Sequence, residues 1–299
     1  MTAAVTRAPL PNAAAPPTRP AWSLWAIFAA YRWRILATYG LFNLENLLRL
    51  AQPLVLGWAI HDLLQASVRG LAVFLGQQAL YLGVSTARRL YDSRCFTRIY
   101  ADLAATLVLD QRGREVEVSR VAARSALSRE IIDFFERDVV IAFFVLYSVA
   151  GALAMLAWAG PMLVPVCLAM LLPAYLLSRW VGRESLLLNG RLNDQLEREV
   201  EVIERARPDE VRGHFDLVRR WRIALSDRDA ISFGALEGLV FVAMAAALVQ
   251  TCARPGVDAG TIVAVLGYVV IYGNGIAHVP LLVQQFNRLR DIARRLQCE

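Results

Sequence analysis

An all-α, polytopic membrane protein with six transmembrane helices and long cytoplasmic helical extensions is the fold class the sequence predicts. Three observations carry it. Apolar residues make up 57% of the 299 residues against 19% charged, with a mean hydropathy of +0.43. They gather into six separate stretches. The 32 basic side chains, every one an Arg, lie almost wholly between those stretches. Such a chain is too apolar for an ordinary soluble domain and too long for a single anchor.

Residues 1–20 are Ala/Pro-rich and have no apolar core. They are not a signal peptide, and a disordered tail is expected. Residues 21–34, AWSLWAIFAAYRWR, carry Trp22, Trp25 and Trp33 and end in Arg32 and Arg34. This reads as an elbow helix lying at the membrane interface. A bilayer core of about 30 Å needs about 20 apolar helical residues. The six candidate spans are 35–60, 70–86, 139–158, 161–178, 231–251 and 260–279. Joins 61–69, 159–160 and 252–259 are short, whereas 87–138 and 179–230 are long.

Arginine counts orient the spans. The two long joins hold 10 and 11 Arg, and four more lie on each terminal segment. The short joins hold only Arg69 and Arg254. Both termini and both long joins are therefore expected in the cytoplasm, with the protein in the plasma (inner) membrane. Acids nearly balance Arg in the long joins, 9 against 10 and 11 against 11. Leu188, Leu192, Leu196 and Ile203 fall at helical spacing in the second. This mixture fits solvent-exposed helices laced by i,i+4 pairs, not a nucleic-acid face. Breaks near Gln111-Arg112-Gly113 and Arg207-Pro208-Asp209-Glu210 divide each join into a descending helix, a short cross-piece and a returning helix.

The exclusions are firm. With no Lys there is no P-loop and no Schiff-base chemistry. The bias toward Arg is what a GC-rich genome would give. Cys95, Cys167, Cys252 and Cys298 form no C-x-x-C, and His61, His214 and His278 share no metal-ligand spacing. No metal, no cofactor and no nucleophile–base constellation are expected, so the chain does not read as an enzyme.

Six spans, short outer joins, two long helical joins and an amphipathic lead-in helix resemble the transmembrane half of an ABC exporter. ENLLRLAQPLVLGWAIHDLL (45–64), with Pro53, Gly57 and Asp62, resembles that family's first span. HVPLLVQQFNRLRDIARRL (278–296) resembles the end of its sixth. The resemblance covers about residues 22–296, and 35–296 form the six-helix domain. Exporters usually continue into a nucleotide-binding domain, and this chain has neither its Walker Lys nor a Leu-Ser-Gly-Gly-Gln string. The resemblance thus implies a permease half that pairs with itself or a similar half and is energised by a separate ABC ATPase. It also implies coupling helices in the cross-pieces, within 114–127 (Arg120, Arg124) and 205–211 (Arg205, Arg207, Asp209, Glu210).

Ionisable groups at bilayer depth usually face a bundle interior or water. Glu45 and Arg49 share a face of the first span with Asn46 and Gln52. Glu237 lies in the fifth span, and Asn274 and His278 in the sixth. At 1.5 Å per residue Glu45 is about 15 Å, and Glu237 about 9 Å, from the inner end. A substrate or proton site lined by Glu45, Arg49, Glu237, Asn274 and His278 is one expectation. The other is a self-neutralising Glu45–Arg49 pair with Glu237 reaching the interface. Two further functions stay open: a proton-driven transporter with exporter-like spans, and a membrane scaffold or regulator that does not transport. Gly234 and Gly238 form a GxxxG, expected to let helices approach closely.

Overall fold

The computed structural model describes residues 24–113, 118, 129 and 132–297. The regular structure among them is helical. It comprises α1 (Leu24–Leu64), α2 (Arg69–Gly113), α3 (Phe134–Ala159), α4 (Val164–Glu197), α5 (Glu199–Arg205), α6 (Pro208–Cys252) and α7 (Ala259–Gln297). Two stretches of α3, Phe134–Asp138 and Tyr147–Gly151, are π-helical.

Among the described residues, four segments are long and apolar enough to cross a membrane: α3, Pro161–Arg205, α6, and Ala259–Leu282 within α7. The predicted first two spans fall in α1 and α2, helices of 41 and 45 residues that are long enough but less apolar. Glu45, Asn46, Arg49 and Gln52 dilute α1, as Gln77 and Gln78 dilute α2. Several of these side chains meet across the helix pair. Gln77 donates to the Leu48 carbonyl (2.8 Å) and Ser85 to Glu45 (2.8 Å). Polar groups satisfied in this way lower hydropathy without facing outward.

α1 bends at Tyr31, whose φ of −112° and ψ of 17° are not helical. Beyond the bend, Ile35 packs with Cys95, Phe96 and Ile99 of α2 and with Phe135. The larger core joins α3, α4, α6 and α7 around Leu156, Cys167, Ala247, Val265 and Tyr268. Tyr272 seals it by donating its hydroxyl to the Cys167 carbonyl.

α7 is the hub, because its glycines let three neighbours come close. In a lipid-embedded bundle, where lipid tails are as apolar as the side chains, such close packing replaces the hydrophobic drive. A Cβ on Gly57 of α1 would sit 2.5 Å from the Gly260 carbonyl oxygen, so the two backbones touch. A Cβ on Gly267 would sit 2.7 Å from Pro53, and one on Gly275 2.7 Å from Ser148 of α3. One on Gly273 would sit 2.5 Å from Val240 of α6. Gly234 and Gly238 behave otherwise: open space surrounds both, so the GxxxG makes no close approach within this chain.

α4 and α6 run antiparallel as a long hairpin. Glu184 meets Arg228 (3.6 Å), Arg191 lies over Trp221 (5.2 Å) and Gln195 meets His214 (2.9 Å). The 3% exposed His214 also lies 3.6 Å from Glu199 of α5, so α5 prolongs the descending limb. The chain then reverses within two residues. Ala206 takes the left-handed conformation (φ 49°, ψ 28°), and Pro208 opens α6 with Asp209 and Glu210 in its first turn. The expected transverse cross-piece is thus replaced here by a tight turn. The middle of the first long join, with Arg120 and Arg124, lies outside the described residues.

The Gly57–Gly260 contact yields a direct test. Gly260→Ala should force α1 and α7 apart at a cost of about 1–3 kcal/mol. Its thermal midpoint in detergent should fall clearly below wild type. Gly76→Ala, facing open space, should leave the midpoint unchanged or slightly raised.

Candidate functional site

The polar residues of α1 divide between two neighbours. Glu45, 8% exposed, turns toward α2. There its carboxylate accepts from the Ser85 hydroxyl (2.8 Å) and from Nε of Arg88. Arg88 Nη1 also bonds Asp92, and the guanidinium lies 5.1 Å from the Phe42 ring centre. One guanidinium therefore serves two buried carboxylates. Oδ1 of Asp92 and the hydroxyl of nearby Thr38 are both buried, and the Thr38 hydroxyl acts on the Asp92 carboxyl. Burial pushes the Asp92 carboxyl above the ordinary carboxylate range, although Arg88 pulls it back.

The expected Glu45–Arg49 pair is not formed. The i,i+4 spacing is right, but Glu45 finds a better-shielded cation in Arg88, whose side chain is 12% exposed. Arg49 reaches α3 instead. Its Nη2 donates to Asn46 Oδ1 (2.9 Å) and to the Ser148 hydroxyl (3.1 Å). Its guanidinium carbon stands 4.3 Å from the Phe144 ring centre.

Ser148 owes its place to the π-helical stretch Tyr147–Gly151. The extra residue in that turn re-aims the side chains around it, a feature common at functional sites. Ser148 is 1% exposed and faces Gly275 of α7. Tyr147 donates its hydroxyl to Asn43 Oδ1 (2.8 Å), tying the same turn to α1 again. From α7, the His278 ring lies 4.8 Å from Phe144, tilted by 57°. Its Nδ1 is 2.8 Å from the Asn274 carbonyl, so Nδ1–H donates there. Phe144 is thus shared by Arg49 and His278, and both Asn274 and His278 are exposed.

Of the five residues expected to line one site, Arg49 and His278 meet at Phe144, and Asn274 joins them through its carbonyl bond to His278. Glu45 is built into the α1–α2 wall. Glu237 is exposed on α6, bordering a small hollow with Gly273 and Ala277, and has no hydrogen bond or ion pair among the described residues. Sequence reasoning missed Asp92, Phe144 and Ser148, and counted Arg88 only among the arginines that orient the spans. The i,i+4 spacing of Arg88 and Asp92 was legible. The role of Ser148 was not, since it depends on a π-turn.

At the short-loop end, His61 Nδ1 lies 3.2 Å from Asp258 Oδ2, beside a cavity of about 430 Å³ flanked by Trp58 and Trp158. The Thr261 hydroxyl, bonded to Asp258, and then other contacts including His61 hold that carboxyl below its ordinary range. At the opposite end the hairpin tip presents Arg205, Arg207 and Asp209 fully exposed and Glu210 partly so. Arg205 pairs with Glu201, and Arg207 with Glu210 at 3.1 Å.

A family model described as an ABC transporter transmembrane region matches residues 24–260, from the start of α1 to the start of α7. No nucleotide-binding domain family is found in the chain. No curated protein matches it.

The shared guanidinium predicts a mutational cycle. Arg88→Met strands two buried carboxylates and should cost about 3–5 kcal/mol of unfolding free energy in detergent. Adding Glu45→Gln and Asp92→Asn should recover most of that loss. With its pKa raised, Asp92 favours folding most fully below about pH 4, its unfolded range, and that contribution is lost as pH rises through the folded value. Asp92→Asn should therefore flatten the rise in stability on acidification from about pH 7 toward pH 4.

Proposed function

Because the chain belongs to the family of ABC transporter transmembrane regions, we propose that it is a permease half that pairs with a second half and is driven by a separate ABC ATPase. The family match, which takes in α1 to α6, carries this reading. On it, α1 and α2 cross the membrane as well as the four apolar segments, giving six spans. Their polar side chains face one another, which removes the main cost of carrying them through hydrocarbon.

Pairing is supported by Glu237. It lies unpartnered and exposed on an otherwise apolar span, beside the open Gly234–Gly238 stripe. A carboxylate facing lipid is costly, so this face belongs against a second half or a shared water-filled cavity. The Arg-rich side is cytoplasmic by the positive-inside rule, in the plasma membrane, with both termini on that side. There the α4–α6 tip, with Arg205, Arg207, Asp209 and Glu210, and the 114–127 segment, with Arg120 and Arg124, form the docking surface for the ATPase. His214, Arg191 and Arg228 staple the two limbs of the hairpin. A push at the tip is therefore carried along α6 to α7, which also touches α1 and α3. Nucleotide-driven closure of the ATPases then opens the cavity to alternate sides.

One observation favours a proton-driven alternative: Glu45 and Asp92 share a single Arg88, leaving a buried excess of acid that can hold a proton. Reconstituted vesicles separate the two. The main reading expects ATPase co-purification and ATP-dependent transport indifferent to a protonophore. It also expects Arg207→Glu with Asp209→Arg to weaken ATPase binding about tenfold, or 1.4 kcal/mol. Uptake abolished by a protonophore but indifferent to ATP would establish the alternative.

A further inference from the structure

Among the described residues no carboxylate forms an ion pair with Arg49, although the charge of Glu45 still acts on it from one turn away. It lies about 21 Å along α1 from Ile35 at 1.5 Å per residue, well inside a span. Glu45, the acid one turn away, is engaged by Arg88 and Ser85. Both hydrogen bonds of Arg49 leave from Nη2 and end on uncharged oxygens. Among the described residues Nε and Nη1 have no acceptor, and no acid forms an ion pair with this side chain. Phe144 supports the guanidinium by a cation–π contact. Such a contact leaves the Nε–H and Nη1–H bonds, which point in different directions, each free to donate to an anionic oxygen. Across the same ring stands His278, exposed, with Nδ1 committed to the Asn274 carbonyl and Nε2 without a partner among the described residues.

An arginine at bilayer depth that faces no acid is costly unless it meets water or a ligand of opposite sign. Here the guanidinium is only half-buried, its neighbours Asn46 and Ser148 are neutral, and the Phe144 ring flanks it. We propose that Arg49, Phe144 and His278 form a binding site for an amphipathic anion, in which a carboxylate or sulfonate group is carried on an apolar body. Arg49 donates to an anionic oxygen through Nε or Nη1. His278 presents Nε2 from α7, a donor only when the ring carries both protons, and Phe144 packs on the apolar part. Because α1, α3 and α7 each supply one of these residues, occupancy is sensitive to how the three helices sit against one another. The site rests on the transport reading for its role and names the charge class of the cargo.

The test is a binding titration on the intact chain in lipid nanodiscs, with two probes sharing one fluorophore: anionic dansylglycine and cationic dansylcadaverine. Wild type should bind the anion at least about tenfold more tightly, a difference of 1.4 kcal/mol. Hexanesulfonate should displace it and hexylammonium should not. Arg49→Gln should abolish the preference, Arg49→Lys should keep much of it, and Arg89→Gln, on the exposed face of α2, should leave it intact. Equal affinity of wild type for the two probes overturns the proposal. So does an undiminished preference in Arg49→Gln. Should that variant not fold, the wild-type selectivity and the sulfonate competition still decide. No turnover enters the titration. Anion preference in a chain that transports nothing overturns the transport reading and leaves the site, whereas transport without charge preference overturns the site alone.

Discussion

Arg88, held between Glu45 and Asp92, governs what the rest of the polar interior can do. A buried guanidinium with two carboxylates is stable only while all three remain together, because removing one leaves an uncompensated charge in a poorly screened environment. The cluster therefore fastens α1 to α2 on the side that bears the long joins. It also turns the carboxylate oxygens of Glu45 away from Arg49, although the two charges still act on each other. The charge of Arg49 is left to face Phe144, Ser148 and whatever occupies the space beside them. The sign of the interior follows from this sharing, not from a count of charged residues along the first span.

A second dependence runs through α7. Gly260, Gly267, Gly273 and Gly275 let it lie against α1, α6 and α3 at distances a side chain would forbid. The π-turn at Tyr147–Gly151 meets Gly275 at Ser148, where Arg49 also arrives. Three helices thus converge on one hydroxyl. A displacement of α6 by the α4–α6 hairpin would be felt at α7 through Val240 and Gly273. From there it reaches both the Phe144 cluster and the Gly57–Gly260 contact at the opposite end. Close glycine contacts suit such a role because they resist compression while leaving few side chains to repack.

The sequence made much of this visible. Long apolar stretches gave α3, α4, α6 and α7 as helices able to cross a membrane, and the Pro208 signal marked where α6 begins. Membership of the ABC transporter transmembrane family was legible from the spacing of spans and joins. The polar composition of α1 and α2 was legible too, yet not its meaning. Glu45 and Arg49 looked like natural partners because i,i+4 spacing places them on one face, whereas a residue 43 positions away in the chain, Arg88, claimed the carboxylate. The GxxxG of α6 looked like a packing motif and faces open space within the chain. Pattern reading assumes that a motif acts on its own helix or its nearest neighbour. It has no access to which neighbour that is.

By itself, then, the sequence determined the helical class, the membrane setting and the absence of a lysine-based phosphate site. These follow from composition and period, which act through local geometry and solvent preference alone. Only the tertiary structure decided which charges neutralise one another, that Arg49 is left over, and that His278 and Phe144 stand beside it. Those outcomes depend on contacts between residues tens to hundreds of positions apart. They turn on a π-turn and on glycine contacts that re-aim side chains by a few ångströms. Electrostatic partnership at bilayer depth is settled at that scale, because a guanidinium one turn away loses to one across the helix interface that is better shielded.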